Sequence, residues 1–208
     1  MMPRILWSLV LLGSLAGPAI ATDNDPGAIE RIVNRGWMSR DRQGNFREGE
    51  FVSRAELANV LVKAFELNRR QGQANIPVPS DVPRSHWAYA DIQRVLATGV
   101  MGGVNGNRFL PNGRLSRAEG FAIFANAFGV YQFPTATIDE ILRPFPDAKE
   151  VPPWARQALA TALNEGFVNL QAGAIQPQKP MTRGDLAHAL ARHLAKEQGR
   201  TQQFPEPR

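Results

Sequence analysis

The stretch Arg114-Leu115-Ser116-Arg117-Ala118-Glu119-Gly120-Phe121-Ala122-Ile123-Phe124-Ala125-Asn126-Ala127-Phe128 decides the fold. Ser116 followed three residues later by Glu119 has the form of a capping box: the hydroxyl accepts from the amide of residue 119, and the carboxylate reaches back to the amide of residue 116. Phe121, Phe124 and Phe128 follow at spacings of three and four, which places them on one stripe of a helix. The same pattern stands 63 residues upstream, where Ser53-Arg54-Ala55-Glu56 leads into Ala58, Leu61 and Phe65. It stands again 66 residues downstream, where Thr182-Arg183-Gly184-Asp185 leads into Ala187, Leu190 and Leu194. Thr182 with Asp185 is a shorter, poorer box than the other two.

The register runs well beyond the tetrapeptide. Without a gap, Gly36 pairs with Gly99, Met38 with Met101, Phe46 with Phe109 and Val52 with Leu115, while Ile29, Ile32 and Val33 fall on Ile92, Val95 and Leu96. The third copy aligns Trp154 with Trp87, Leu159 with Ile92, Leu163 with Leu96 and Gly166 with Gly99, then loses one residue and continues with Pro177 on Pro111 and Met181 on Leu115. The chain therefore divides into a leader (1–21), a truncated first repeat (22–70), a second repeat (71–133), a degenerate third repeat (134–196) and a polar tail (197–208) expected to fray.

Each repeat reads as helix, loop, helix. In the second, a helix begins near His86-Trp87, carries Ile92, Val95 and Leu96 inward and stops at the C-capping Gly99. The loop Gly102 to Asn107 follows, then the turn Pro111-Asn112-Gly113 between the apolar Phe109 and Leu115. Thr135 to Leu142 is a short amphipathic insert. One unit cannot bury its own stripe, whereas three can pack together. The expected fold is all-α: three helix-loop-helix repeats in a pseudo-threefold arrangement around a central helical bundle.

Composition bounds the function. The 208 residues hold 24 Lys and Arg, 19 Asp and Glu, three His and no Cys. That excludes disulfides, thiol catalysis, Cys-based zinc sites and lipid attachment through an N-terminal Cys. A 43% hydrophobic content suffices for a core. The net charge of +5 is not gathered into basic blocks, so no nucleic-acid partner is expected. Arg4, the apolar run Ile5 to Leu15, the breakers Gly17 and Pro18, and Ala19-Ile20-Ala21 read as a secretory signal peptide cleaved after Ala21. An uncleaved anchor is the alternative, but the run is short of the roughly 20 apolar residues of a membrane helix. Cleavage leaves 23 basic and 19 acidic side chains, a net of +4, and no transmembrane anchor. Export without cysteine fits secretion across the inner membrane to a bacterial periplasm, cell surface or cell wall.

The second unit, with Pro79-Ser80-Asp81-Val82-Pro83, His86-Trp87-Ala88, the loop from Gly99 to Phe109, and Ser116-Arg117-Ala118-Glu119, resembles the S-layer homology (SLH) module of bacterial envelope proteins. The third unit follows through Phe145-Pro146-Asp147, Trp154-Ala155 and Thr182-Arg183-Gly184-Asp185, with a thinner loop. The first departs most: Asn24 stands where the Trp is expected, and the Asp-Val-Pro lead is missing. The resemblance implies a three-pronged spindle around a helical bundle. It also implies non-covalent binding of a cell-wall polysaccharide, a peptidoglycan-linked polymer often carrying a pyruvate ketal, without cofactors.

Ser53, Glu56, Ser116, Glu119, Thr182 and Asp185 are explained by capping. Arg54, Arg117 and Arg183 are not, because each occupies a first helical position, where the helix dipole disfavours a cation. Their partner is either an internal carboxylate, from Asp81, Asp147 or a box acid, or an anionic ligand held by the guanidinium fork beside a helix N-terminus. Trp87 and Trp154 either stack on sugar rings or wedge the first helices at their angle; Trp37 falls on Val100 and is assigned to the core. The ligand-binding set is Arg117, Trp87, Arg54, Arg183 and Trp154, with Arg117 and Trp87 foremost.

His86, His188 and His193 make no metal constellation; His86 reads as a cap or a surface hydrogen-bonding group. No catalytic template is present, and Asp139-Glu140 is a solvated pair rather than a glycosidase dyad. The reading is therefore a non-enzymatic envelope protein, without metal or cofactor, that anchors to or organises the envelope by holding wall polysaccharide. The alternative is a degenerate interaction module that has lost the sugar and docks onto envelope proteins.

Overall fold

The computed structural model describes residues 27–104 and 107–203, so the expected signal segment lies outside the described residues. The helices are α1 (Ala28–Asn34), α2 (Arg54–Ala64), α3 (Tyr89–Ala97), α4 (Arg117–Phe128), α5 (Thr135–Leu142), α6 (Arg156–Asn164) and α7 (Arg183–Gln203). Short 3-10 turns lie at Leu67–Arg69, Ala148–Glu150 and Pro153–Ala155. Among the described residues extended pairing is limited to isolated bridges, so the fold is all-α.

The second helix of each unit starts on its box. At α4 the box closes both ways, the Glu119 amide donating to Ser116 Oγ at 3.2 Å and the Ser116 amide to Glu119 Oε2 at 2.7 Å. The Thr182–Asp185 box, the poorer one by sequence, also closes both ways, at 3.2 and 2.8 Å. At α2 only Ser53 caps, accepting from the Glu56 amide at 3.1 Å, because the Glu56 carboxylate is drawn to Arg183. The first helix of each unit ends at Gly36, Gly99 or Gly166, with φ of +69°, +70° and +71°. Glycine adopts this left-handed angle without steric cost, so the chain reverses at one place in each unit.

The units complete one another in a ring. α2 packs on α3, α4 on α6, and α7 returns to α1, so the second helix of each unit lies against the first helix of the next. The apolar stripes meet at the centre, where Phe124 stands edge-on to Phe65 and Phe167, each at 5.1 Å. The helix starts are bound to the neighbouring turn in the same order. The amides of Arg54 and Ala55 donate to the Gly113 and Pro111 carbonyls, those of Arg117 and Ala118 to Lys179 and Pro177, and those of Arg183 and Gly184 to Glu50 and Glu48, at 2.7–2.9 Å. With the box hydroxyl taking the third amide, the donors that could bind an anion at these N-termini are already used.

Two local expectations change. Trp87 precedes α3 in a turn, in which His86 Nδ1 accepts from the Ala88 amide at 3.1 Å without capping the helix. The frayed tail is partly helical, since α7 continues past residue 196 to Gln203. Lys196 pairs with Glu165 at 2.8 Å and fastens α7 near this extension to the end of α6.

Candidate functional site

The three repeated arginines point into the neighbouring unit. Arg117 is fully buried, with Nε donating to the Ile175 carbonyl at 2.8 Å and Nη2 to the Asn169 carbonyl at 2.5 Å. Its Nη1 reaches Asn169 Oδ1 at 3.1 Å and pairs with Asp185, and the guanidinium lies over the Phe121 ring at 5.0 Å. Arg183 repeats this geometry on the first unit, with Nε to the Phe46 carbonyl at 2.9 Å, Nη2 to the Ser39 carbonyl at 2.7 Å and Nη1 paired with Glu56. Arg54 grips the second unit through the Phe109 and Gly102 carbonyls at 2.6 and 2.7 Å. Arg117 was expected foremost at the ligand; its buried, satisfied guanidinium makes it an internal latch instead. The carboxylates it and Arg183 meet are the box acids of the next unit, not Asp81 or Asp147.

Those two lead acids do something the sequence reading did not assign. Asp81 accepts from the amides of Phe109 and Leu110, both at 2.8 Å, and Asp147 from those of Ile175 and Gln176, at 3.1 and 2.6 Å. Each carboxylate spans the entry to a left-handed residue, Leu110 at φ +56° and Gln176 at +53°. The signal was present as a constant separation of 28 and 29 residues from lead acid to loop. Burial pushes the Asp81 carboxyl up, but the amides of Phe109, Leu110 and Asp81 itself, with the charge of Arg108, outweigh it and leave it below the ordinary value.

The tryptophans behave oppositely to the arginines. Trp87 and Trp154 are 64% and 63% exposed, while Trp37 is buried, in the core position assigned to it. Trp87 stands at the rim of a groove of about 520 Å³ in the first unit. The loop Gly36 to Arg40 forms one wall, and the capping Ser53 with Glu56, Asn59, Val60 and Lys63 of α2 forms the other. Asn59 Nδ2 donates to Asp91 at 2.7 Å and ties that wall to α3. Burial pushes the Glu56 carboxyl up against the opposing pull of Arg183. Lys63 is exposed and has no ion-pair partner among the described residues. The groove of the first unit takes its aromatic rim, Trp87, from the second unit, while Asn24 lies outside the described residues.

Among the described residues no cluster of His, Asp and Glu could hold a metal, and no helix is long and apolar enough to cross a membrane. His188 and His193 bond separate carbonyls, Gly166 at 3.0 Å and Ala64 at 3.3 Å. Asp139 pairs with Arg156 at 2.6 Å, and Glu140 is exposed.

Fold and latches together define an all-α repeat protein whose units are completed by their neighbours. The chain carries S-layer homology domains: the model of that family matches residues 80–119 and 144–187, within the second and third units. It is 31% identical over 171 residues to a surface-layer 125 kDa protein of Lysinibacillus sphaericus, covering 80% of this chain and 14% of that protein. An uncharacterized cell wall amidase of Bacillus anthracis is 30% identical over 97 residues, 47% of this chain and 18% of its own length. An S-layer protein of the same organism is 23% identical over 79% of this chain and 18% of its own length. The chain therefore spans less than a fifth of each of these relatives.

Proposed function

We propose that this chain is a non-enzymatic envelope protein that holds a cell-wall polysaccharide in the groove between α2, the loop Gly36 to Arg40 and Trp87. The observation that carries this reading is Trp87: a large aromatic side chain left 64% exposed beside a groove of mixed apolar and polar lining is costly to solvate and suited to the apolar face of a sugar ring. Ser53, Asn59 and Lys63 offer the directional partners that hydroxyl and carboxylate groups need. Surface-layer and S-layer proteins among the relatives support a site of action at a cell surface or wall, and the polymer's pyruvate ketal is an implication of the family resemblance. Trp154 is a second aromatic platform, whereas Arg54, Arg117 and Arg183 hold the units in register.

The test is co-sedimentation with purified sacculi before and after the secondary polymer is stripped. The intact protein pellets with native sacculi and not with stripped ones, and Trp87→Ala loses pelleting while keeping its thermal melt. Equal binding to both preparations would favour the degenerate interaction module instead, and release of reducing sugar would favour an enzyme.

A further inference from the structure

We infer that His86 is the positioning residue of Trp87, and that its neutral imidazole makes the hold on that ring sensitive to pH. The inference rests on Trp87 being part of the glycan site. Trp87 is the middle residue of a turn closed on both sides of it. The His86 amide donates to the Pro83 carbonyl at 2.8 Å, the Tyr89 amide to the His86 carbonyl at 2.9 Å, and the Ala88 amide to His86 Nδ1 at 3.1 Å. A backbone amide can only donate, so Nδ1 carries a lone pair and no proton in this arrangement. The same imidazole lies along the indole, with ring centroids 5.8 Å apart and planes 28° from parallel. Both the backbone that carries Trp87 and one side of its ring thus lean on His86. A proton on Nδ1 sets donor against donor, and the amide of the fully buried Ala88 then loses its partner.

The third unit provides the contrast. Trp154 is as exposed as Trp87 and falls on it in the repeat, yet Pro153 stands where His86 does. There the Ala155 amide, equivalent to that of Ala88, donates to the Pro152 carbonyl at 2.9 Å, an acceptor that does not titrate. Of the two exposed tryptophans, only the one at the rim of the first groove has a titratable support. Imidazole is the side chain that ordinarily changes charge between about pH 5 and 8. The charges on the elements around the turn are otherwise engaged or exposed. Asp81 holds the Phe109 and Leu110 amides, Asp91 of α3 accepts from Asn59, Glu56 of α2 is paired with Arg183, and Arg84 and Lys63 are exposed. Among the described residues none of these pairs with His86.

The test compares the full chain with its His86→Asn variant, in which the side-chain oxygen can accept from the amide two residues on without titrating. Co-sedimentation with native sacculi is followed at about pH 7.5 and about pH 5.5, together with the heteronuclear NMR NOE of the Trp87 and Trp154 indole NH groups. On acidification the intact protein loses affinity for sacculi about tenfold, and the Trp87 indole gains motion while that of Trp154 does not. His86→Asn pellets alike at both pH values and keeps Trp87 rigid, a rescue that a merely structural histidine would not give. Should His86→Asn fail to fold, His86→Asp supplies the same acceptor, ionised at both pH values. Pelleting that ignores pH, an equal fall in His86→Asn, or a Trp87 indole no more mobile in acid than that of Trp154 would overturn the inference. A protein that pellets at both pH values with Trp87 unmoved keeps the proposed function and loses this inference. One whose Trp87 loosens in acid but which never pellets keeps the hold of His86 and loses the proposed function.

Discussion

Arg54 and Arg117 occupy equivalent helix starts and grip equivalent loops, yet only Arg117 meets a carboxylate. The Asp185 box acid is within reach of Arg117 while still accepting from the Thr182 amide with its second oxygen. Glu119, the acid that should serve Arg54, spends one oxygen on both the Ser116 amide and the Ser116 hydroxyl. Arg54 is left with two carbonyls and the face of Phe109, at 4.6 Å. Whether a repeated arginine gains an ion pair therefore depends on whether the next unit's box acid has an oxygen turned toward it: Glu56 leaves its own cap for Arg183 and Asp185 offers its other oxygen to Arg117, while Glu119 stays on Ser116.

The sharpest way to break that comparison is to remove both cations. Arg117→Met strands the buried Asp185 carboxylate and costs about 3–5 kcal/mol in urea unfolding. Arg54→Met orphans two carbonyls but no charge, and costs about 1–3 kcal/mol; equal losses would mean that the Arg117–Asp185 pair carries no special weight. Smaller again is Asp81→Asn, at about 1–2 kcal/mol, since one amide keeps an acceptor. The folded Asp81 carboxyl lies below its ordinary 3.8, so its contribution is intact above that pH and is lost as pH falls through the folded value. Asp81→Asn should flatten the acid limb of the stability curve. Smallest is Trp154→Ala, expected to shift stability by about 0.5 kcal/mol or less because the ring is exposed. A larger loss would make Trp154 a wedge rather than a platform.

Much of this was legible without coordinates. The apolar stripes, the three stop glycines and the insert Thr135–Leu142 are local patterns, and they emerge where periodicity puts them. The arginines were not legible, because their partners lie 48 to 144 residues away, in loops whose position depends on how the units close. A helix-start cation looks like a ligand hook until the neighbouring carbonyls are in place. Glu56 misled in the same way: the tetrapeptide marks it as a cap acid, and only the return of the third unit draws it across to Arg183.

The contact between α7 and α1 has a consequence for how such a chain can vary. An open solenoid can lengthen or shorten by a unit and lose one seam. Here each unit supplies a helix to one neighbour and a loop to the other, so deleting any one of them opens two seams at once. Drift in sequence is tolerated, as the first unit illustrates, but copy number is not free to change one step at a time.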